Sequence, residues 1–306
     1  MTTAAILETF PDEAAWLAAR RRFGIGASEA WDVLFGDRWR VYNEKTAIVL
    51  PEREVNDDLE WGHDIEHAAE RFYKRRWLAP GEAYERCDLT IVHVPGIPVF
   101  ATPDAIVSAL DGRILRLVEV KRRRWRDTTE WGDVGTDEVP PRVLCQVQIQ
   151  ARLLGIDEVH VFGSLGDTAP RIYVVPHDPV TSARLEARLT AFWTDHVLPR
   201  VPPALDGSAS ADAALSARHP FNRIKDQLDP CPPGSATYRH VAALKAAQDE
   251  LATQQTAYDT ARQHLQDTIG ARAGLAGPGF RITWKAGANG RTFRATFTPA
   301  FNGETR

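Results

Sequence analysis

One predicted β-hairpin, centred on Asp111-Gly112, constrains this chain more than any other feature. Asp-Gly between two apolar runs is a strong hairpin signal. Asp104 lies on the first predicted strand or at its end, and the second strand ends in Glu119-Val120-Lys121. Because side chains alternate along a strand, Glu119 and Lys121 share one face while the valines beside them point into the core. The hairpin therefore predicts that Asp104, Glu119 and Lys121 lie close together.

Two carboxylates and one amine in this arrangement favour metal-dependent phosphodiester chemistry. Carboxylate oxygens suit Mg²⁺ or Mn²⁺. An amine beside them can orient an attacking water or stabilise charge that grows on a phosphate. The alternative is a solvated strand face on which Glu119 and Lys121 are merely opposite charges. Three further groups of residues favour the catalytic interpretation.

The first group is a predicted amphipathic helix over residues 56–77, whose apolar residues recur at three- and four-residue spacings. Glu66 falls beside the apolar stripe of this helix. Its carboxylate is therefore predicted to point toward the sheet. The alternative is an ordinary surface glutamate.

The second group consists of Arg20 and Ser28. Ser28 follows a glycine-containing loop and is predicted to cap the next helix, whose exposed amides and positive end form an anion site. Arg20, at the end of the preceding predicted helix, would complete a phosphate pocket. The alternative is a purely structural cap at Ser28.

The third group lies on a helix predicted after Pro140-Pro141. Gln146 and Gln150 are one helical turn apart and share a face of this helix. A glutamine amide can hold a water or a phosphate oxygen without adding charge.

A local run of basic residues is a candidate nucleic-acid binding site, although the net charge of the 306-residue chain is −4. The run leaves the strand that carries Glu119, so it is predicted to bind backbone phosphates near the carboxylates. The alternative is a solvated loop. After Lys121, the residues of this run are Arg122, Arg123, Arg124 and Arg126.

The remaining patterns predict an α/β fold, with a central mixed β-sheet flanked by helices in residues 1–200. A linker rich in Pro, Ala, Ser and Asp, with a short helical piece, follows over 201–235. A long helix plus a β-hairpin form an appendage over 236–306. This hairpin carries four cations and two aromatic residues, which either contact DNA or are solvated. Further predicted elements are strands over 158–163, 171–175, 279–285 and 291–297, and helices over 178–198 and 238–269.

Other sequence signals exclude several classes of protein. The three cysteines lack metal-ligand spacing, so neither a disulfide framework nor a zinc site is indicated. No apolar stretch nears the roughly 18 residues that span a bilayer, and the N-terminus lacks a signal pattern. The expected compartment is the cytoplasm, that of the host cell if the chain is phage-encoded.

Taken in order, these residues resemble the YqaJ-type viral recombinases, a lambda exonuclease-like group of PD-(D/E)XK nucleases. The resemblance spans residues 16–163 and implies a restriction-endonuclease-like core. The residues that carry it are Trp16, Arg20, Ser28, Trp61-Gly62, Glu66, Thr102-Pro103-Asp104, Glu119-Val120-Lys121 and Gln146-Val147-Gln148.

The resemblance implies a role for each residue at the predicted carboxylate site. Asp104, Glu119 and the Val120 carbonyl would bind Mg²⁺ or Mn²⁺, and Glu66 would support a second metal or its waters. The resemblance also implies that Lys121 acts on the nucleophilic water. Gln146 would line the site.

The resemblance assigns Arg20 and Ser28 to a pocket for a terminal 5′-phosphate. One extra residue in Arg21-Arg22-Phe23 departs from the family pattern. Arg21 or Arg22 is therefore an alternative to Arg20.

The implied function is a 5′→3′ exonuclease on double-stranded DNA ends, producing 3′ single strands for phage-type recombination. The implied partners are further copies of the chain in a ring-like homo-oligomer and a single-strand annealing protein; no membrane is involved. Two alternatives stay open. His63, Glu66 and His67 fit the motif of inverted zinc metallopeptidases, and a non-catalytic DNA-binding module could have the same fold.

Overall fold

The computed structural model describes residues 4–48, 57–123, 130–165, 169–220, 228–287, 290–298 and 301, with only the backbone described at 57–63 and 123. The chain divides into two compact units, Met1–Asn222 and Arg223–Arg306.

The first unit mixes helices and strands throughout. In chain order its elements are β1 (Ile6–Thr9), α1 (Glu13–Phe23), β2 (Ile25–Gly26), α2 (Ala30–Phe35), α3 (Arg38–Thr46), α4 (Asp57–Arg76), β3 (Glu82–Arg86), β4 (Thr90–His93), β5 (Val99–Ala101), β6 (Ala105–Ala109), β7 (Ile114–Arg123), α5 (Pro141–Leu154), β8 (Glu158–Leu165), β9 (Arg171–Pro176), α6 (Pro179–Phe192) and α7 (Ala209–Arg218). A 3₁₀ turn at Ala27–Glu29 precedes α2, and a π-helical turn at Trp193–Val197 follows α6.

The main sheet of this unit has five strands in the order β3-β6-β7-β8-β9. β7 and β8 are parallel and the other neighbours are antiparallel, so the sheet is mixed. Successive residues of β7 pack on opposite faces: Leu117 joins a cluster with Val147 of α5, and Val118 joins one with Tyr73 of α4. The predicted mixed sheet with flanking helices is confirmed.

A second, four-stranded sheet in the order β1-β4-β5-β2 was not predicted. Its strands are only two to four residues long, too short to show a clear alternation in sequence. Helix α5 lies between the two cores, since Ile149 packs with the cluster that includes Val92 and Val99, and Val147 packs against the main sheet.

The structure differs from the predicted linker over 201–235, because its first part packs on the first unit. Ala211 and Ala214 of α7 are 2% and 5% exposed and belong to the core. Trp39 Nε1 donates to the Ala204 carbonyl at 3.0 Å, and Asn43 Nδ2 donates to the Ser210 carbonyl at 2.8 Å. Alanine-rich composition resembled a linker, but small side chains are what a closely packed short helix requires.

The second unit contains the predicted long helix and hairpin, with one additional strand. Its elements are α8 (Ala236–Ile269), β10 (Gly274–Gly277), β11 (Phe280–Gly287) and β12 (Gly290–Phe297). The three strands form an antiparallel sheet in chain order. Leu244, Leu251 and Tyr258 of α8 follow one another at intervals of seven residues, and all three are exposed. Across the described parts of the chain, no helix combines the length and apolar character needed to cross a membrane.

Candidate active site

The hairpin of β6 and β7 places the first carboxylate beside the second strand. Ala105 pairs with Val118 across the two strands, and Gly112 takes a positive φ of 84° in the turn between them. Only glycine adopts such a conformation without strain. Asp104 immediately precedes β6, and its Oδ2 accepts a hydrogen bond from the Val120 amide at 2.6 Å. The backbone of β7 therefore holds Asp104 at the level of Glu119.

Glu119 is buried against α5, and both of its carboxylate oxygens accept hydrogen bonds. Lys121 Nζ lies 2.5 Å from Glu119 Oε1, and Gln146 Nε2 donates to the same oxygen at 2.7 Å. Gln150 Nε2 donates to Oε2 at 2.6 Å. The structure thus brings Asp104, Glu119, Lys121 and Gln146 together. It adds Gln150, which the sequence placed on the same helix face without a defined contact.

The two carboxylates form a site whose electrostatics suit a cation. Burial raises the pKa of Asp104 well above its ordinary value, and the negative charge of Glu119 raises it further. The positive charge of Lys121 and the hydrogen bond from the Val120 amide lower the pKa of Asp104. Oxygen ligands held in a buried, like-charged pair are what Mg²⁺ or Mn²⁺ prefers. The residues present therefore fit a divalent cation.

Glu66 lies on α4, on the other face of the sheet from α5. Its Oε2 is 3.7 Å from Arg86 Nη2, and the same guanidinium nitrogen is 2.6 Å from Asp88 Oδ1. Among the residues that the structure describes, no three His, Cys, Asp or Glu side chains are gathered as a metal-binding group. The metal role of Glu66 stays a prediction, and its charge helps to raise the pKa of Asp104.

The guanidinium of Arg86 also lies beside the residues of the zinc-peptidase alternative. Arg86 Nη1 lies 2.5 Å from His67 Nδ1, and the side chain of His63 is outside the described part of the chain. A fixed positive charge beside His67 and Glu66 opposes the binding of a second cation there. This environment disfavours a zinc site on α4.

Arg20 lies in an aromatic environment next to the glycine loop. Its guanidinium carbon is 4.6 Å from the centre of the Trp16 ring and 5.8 Å from that of Phe100. Lys45 Nζ is 5.1 Å from the same Phe100 ring. A Cβ atom at Gly26 would lie 3.1 Å from Phe100 Cζ. Phe100 is thus a shared neighbour of two cations and the loop that leads to Ser28.

The predicted helix cap at Ser28 is wrong. Ser28 lies inside the 3₁₀ turn with its side chain exposed, and Gly26 occupies the position before the turn. The Gly26 amide donates to Glu29 Oε2 at 2.7 Å. A carboxylate three residues along the chain therefore satisfies the amide at the start of the turn. Ser28 still presents its hydroxyl to solvent.

Lys45 is a buried cation that no sequence motif indicated. Its Nζ is 3.0 Å from Glu29 Oε2 and donates to the Arg20 carbonyl at 3.1 Å, and its side chain is fully buried. Burial lowers the pKa of Lys45, while the charge of Glu29 opposes the shift. The pair anchors the glycine loop and the end of α1 to α3. The only sequence signal was a lysine among the apolar residues of a short helix.

The predicted basic run is only partly described. Arg122 continues β7 with a half-buried side chain, and Arg123 ends the strand. Arg124, Arg126 and the side chain of Arg123 lie outside the described residues, so their contact with phosphates stays a prediction. Of the alternatives to Arg20, the Arg22 guanidinium lies 5.1 Å from the Phe23 ring centre.

Comparisons with known proteins match the region that contains these residues. Residues 15–156 match the family of the YqaJ-like viral recombinase domain. The uncharacterized protein YqaJ of Bacillus subtilis (strain 168) is 23% identical over 277 residues, covering 88% of this chain and 82% of that protein.

Two solved structures of an alkaline exonuclease, LHK-Exo from Laribacter hongkongensis, are also similar. The first is 19% identical with a TM-score of 0.46, and covers 59% of this chain and 90% of that chain. The second, in complex with dAMP, is 18% identical with a TM-score of 0.47 and the same coverage.

The residues that the hairpin and α5 bring together all fall inside the matched region. Asp104, Glu119, Lys121 and Gln146 lie between its first and last residues, as do Arg20 and Ser28. The region that contains these side chains, residues 15–156, is similar to the YqaJ-like viral recombinase domain.

Proposed function

We propose that this chain is a metal-dependent DNA exonuclease. The observation that carries the proposal is the juxtaposition of Asp104, Glu119 and Lys121 on one hairpin, with Lys121 Nζ 2.5 Å from Glu119 Oε1. A viral recombinase domain is a DNA-processing module, and this constellation suits phosphodiester hydrolysis.

Each residue would contribute a separate part of the chemistry. Mg²⁺ or Mn²⁺ held by Asp104 and Glu119 would supply Lewis acidity and charge neutralisation at the phosphate. Gln146 and Gln150 fix the orientation of the Glu119 carboxylate through their amide donors. The Lys121 ammonium would orient the attacking water and stabilise negative charge on the phosphate oxygens.

The surroundings of Arg20 support a site for the end of the substrate. Arg20 and Lys45 are cations that flank Phe100, and Ser28 is exposed on the adjoining turn. A cation and a hydroxyl recognise a terminal phosphate by charge-assisted hydrogen bonds. We propose that this pocket binds a 5′-phosphate, which would give 5′→3′ digestion of one strand from a duplex end and leave a 3′ single strand for recombination.

The proposal includes self-association and a single-strand annealing protein as partner. Leu244, Leu251 and Tyr258 supply an exposed apolar stripe on α8 for contact with another copy. A ring-like homo-oligomer would keep the enzyme on its DNA between cleavage events.

The test compares linear duplexes labelled at either end with a covalently closed circle, in Mg²⁺ and in chelator. We expect Mg²⁺-dependent shortening from 5′ ends and an intact circle. A circle cut as fast as the linear duplex would instead indicate an endonuclease. Tight binding without any shortening would indicate a non-catalytic DNA-binding module.

Variants locate this activity in the hairpin. Asp104→Ala and Glu119→Ala should abolish shortening, whereas Asp111→Asn, which makes the same charge change in the same hairpin, should retain it. Lys121→Ala should lower kcat more than DNA affinity. Retained activity in Asp104→Ala or Glu119→Ala would contradict the assignment.

A separate variant tests the phosphate pocket. Arg20→Ala should reduce the rate ratio between 5′-phosphorylated and 5′-hydroxyl ends, and Arg22→Ala, at an alternative position, should leave this ratio unchanged. An unchanged ratio in Arg20→Ala would place the pocket elsewhere.

A further inference from the structure

The sheet of the second unit has two chemically different faces. β11 and β12 pair with Arg281 opposite Thr296, Thr283 opposite Arg294 and Lys285 opposite Thr292. Residues that oppose one another across an antiparallel pair lie on the same face, as do alternate residues along each strand. The residues of this face, which we call the basic face, are Arg281, Thr283, Lys285, Thr292, Arg294 and Thr296.

The opposite face is apolar and is used within the unit. Ile282 is 4% exposed, and Phe280 pairs with Phe297 across the strands. Arg291 lies with its guanidinium 3.8 Å from the centre of the Trp284 ring and donates to the Trp284 carbonyl at 3.0 Å. Arg291 therefore packs on the apolar face. It is not one of the cations of the basic face.

The basic face has no internal counter-charge. No Asp or Glu occurs between residues 268 and 303 of the sequence. Within the described part of the chain, Arg281, Lys285 and Arg294 make neither ion pairs nor side-chain hydrogen bonds. The basic face therefore carries a local positive charge in a chain whose net charge is −4.

The cations follow a regular spacing along an open depression. Arg294 lies opposite Thr283, which separates Arg281 from Lys285. One cation therefore occurs at every same-face level, at steps of about 7 Å along the strands. The depression has a volume of about 470 Å³ and is lined by the basic face.

We infer that the basic face is a second DNA-binding site, which holds the sugar–phosphate backbone of double-stranded DNA. Cations and threonine hydroxyls are the side chains that contact phosphate oxygens. The face carries no aromatic ring, whereas sites for single strands use aromatic stacking platforms. Its contacts are therefore independent of base sequence and favour an intact duplex. The choice of DNA as ligand rests on the proposed function.

The experiment measures binding of the full chain to a duplex closed by a hairpin loop at both ends, in chelator. Such a duplex offers no end to the proposed active site. Fluorescence anisotropy over a salt series gives the affinity and the slope of log K against log salt. The variant R281Q/K285Q/R294Q removes the cations of the basic face.

The matched control, R239Q/K245Q/R262Q, removes three cations from α8 in the same unit. Lys245 and Arg262 already pair with Asp249 and Asp259. We expect the basic-face variant to lose about three units of salt slope, about one for each phosphate contact, with at least a tenfold loss of affinity at low salt. The control should change affinity by less than about twofold.

Several outcomes would overturn the inference. These are equal losses in the two triple variants, no loss in the basic-face variant, or a loss confined to a single-stranded oligonucleotide. T292E keeps all three cations and adds a negative charge opposite Lys285, so it should also weaken duplex binding. Circular dichroism checks that each variant is folded.

Cleavage of a short open-ended duplex in Mg²⁺ separates this inference from the proposed function. Normal cleavage with unchanged closed-duplex binding in the basic-face variant would overturn the inference alone. Salt-dependent duplex binding that requires the basic face, in a chain without any cleavage, would support the inference and contradict the proposed function.

Discussion

At the scale of single residues, the orientation of Glu119 depends on amide donors from α5. Gln150 is fully buried, and its Nε2 donates to Glu119 Oε2 at 2.6 Å, while its own Oε1 has no partner among the described atoms. Gln150→Met keeps the length of the side chain and removes the donor. Loss of a hydrogen bond to a charged acceptor should lower the free energy of unfolding by about 1.5 kcal/mol.

Urea unfolding of Gln150→Met measures this loss, and cleavage kinetics of the same variant measure its effect on the site. We expect a lower kcat, because Glu119 is no longer held by both glutamines. Unchanged stability and unchanged kcat together would show that Gln150 does not position Glu119.

The sequence predicted the residues of the active-site hairpin but not the contacts that cross the fold. Strand alternation and one Asp-Gly turn were sufficient to bring Asp104, Glu119 and Lys121 together. The bond from Gln150 to Glu119 depends on how α5 packs on the sheet, and the bond from Lys45 to Glu29 depends on how α3 packs on the glycine loop. Neither packing follows from a local pattern.

At the scale of secondary-structure elements, a buried ion pair ties the glycine loop to α3. Lys45→Met would leave Glu29, whose side chain is 5% exposed, without its cation. Breaking a buried pair from one side costs about 3–5 kcal/mol, whereas replacing both partners costs much less. Lys45→Met combined with Glu29→Gln should therefore be more stable than Lys45→Met alone.

Free energies of unfolding for the single and double variants measure this coupling. Glutamine at position 29 can still accept the Gly26 amide, so the loop keeps its turn. Strictly additive effects of the two substitutions would contradict a coupled pair.

A second ion pair links β3 to the centre of the main sheet. Arg116 donates to both carboxylate oxygens of Glu82, at 2.8 and 2.5 Å. Hydrogen bonding from Arg116 lowers the pKa of Glu82 below its ordinary value of 4.5. A carboxyl group whose pKa is lower in the folded state stabilises the protein above pH 4.5, and this stability is lost as the pH falls through the folded pKa.

Glu82→Gln should therefore lower the free energy of unfolding by about 1.5 kcal/mol near neutral pH. The difference from the unsubstituted chain should shrink as the pH falls below 4.5. Chemical unfolding at a series of pH values measures it. A difference that stays constant down to pH 3 would mean that the charge of Glu82 is not involved.

The periodicity of the sequence predicted the long helices and strands, but it did not predict the short ones. The helix predicted over 238–269 extends over Ala236–Ile269, and the strand predicted over 158–163 extends over Glu158–Leu165. The strands of the four-stranded sheet and the 3₁₀ turn at Ala27–Glu29 were missed. Their conformations are set by packing and by single hydrogen bonds, since two to four residues are too few to establish a period.

At the scale of the whole molecule, the boundary of the first unit lies beyond the predicted one. Among the described residues, the four clusters of buried apolar side chains fall within Met1–Asn222, and one of them includes Ala211 and Ala214. A chain that ends at residue 200 loses this packing and the hydrogen bonds from Trp39 to Ala204, from Asn43 to Ser210 and from Ser210 to Asp37. A chain that ends at residue 222 keeps both.

We therefore expect the 222-residue chain to unfold cooperatively and the 200-residue chain to be less stable by about 3 kcal/mol or more. Thermal unfolding followed by circular dichroism compares them. Equal midpoints for the two truncated chains would contradict the packing of α7 on the first unit.

We propose that Asp104 and Glu119 form a divalent-cation site beside Lys121. Binding of Mn²⁺, measured by electron paramagnetic resonance without DNA, tests it most directly in the unsubstituted chain, Asp104→Asn, Glu119→Gln and the control Asp111→Asn. We predict saturable binding in the unsubstituted chain and the control, and at least a tenfold weaker affinity in the other two. Equal Mn²⁺ affinity in all four proteins would contradict the account.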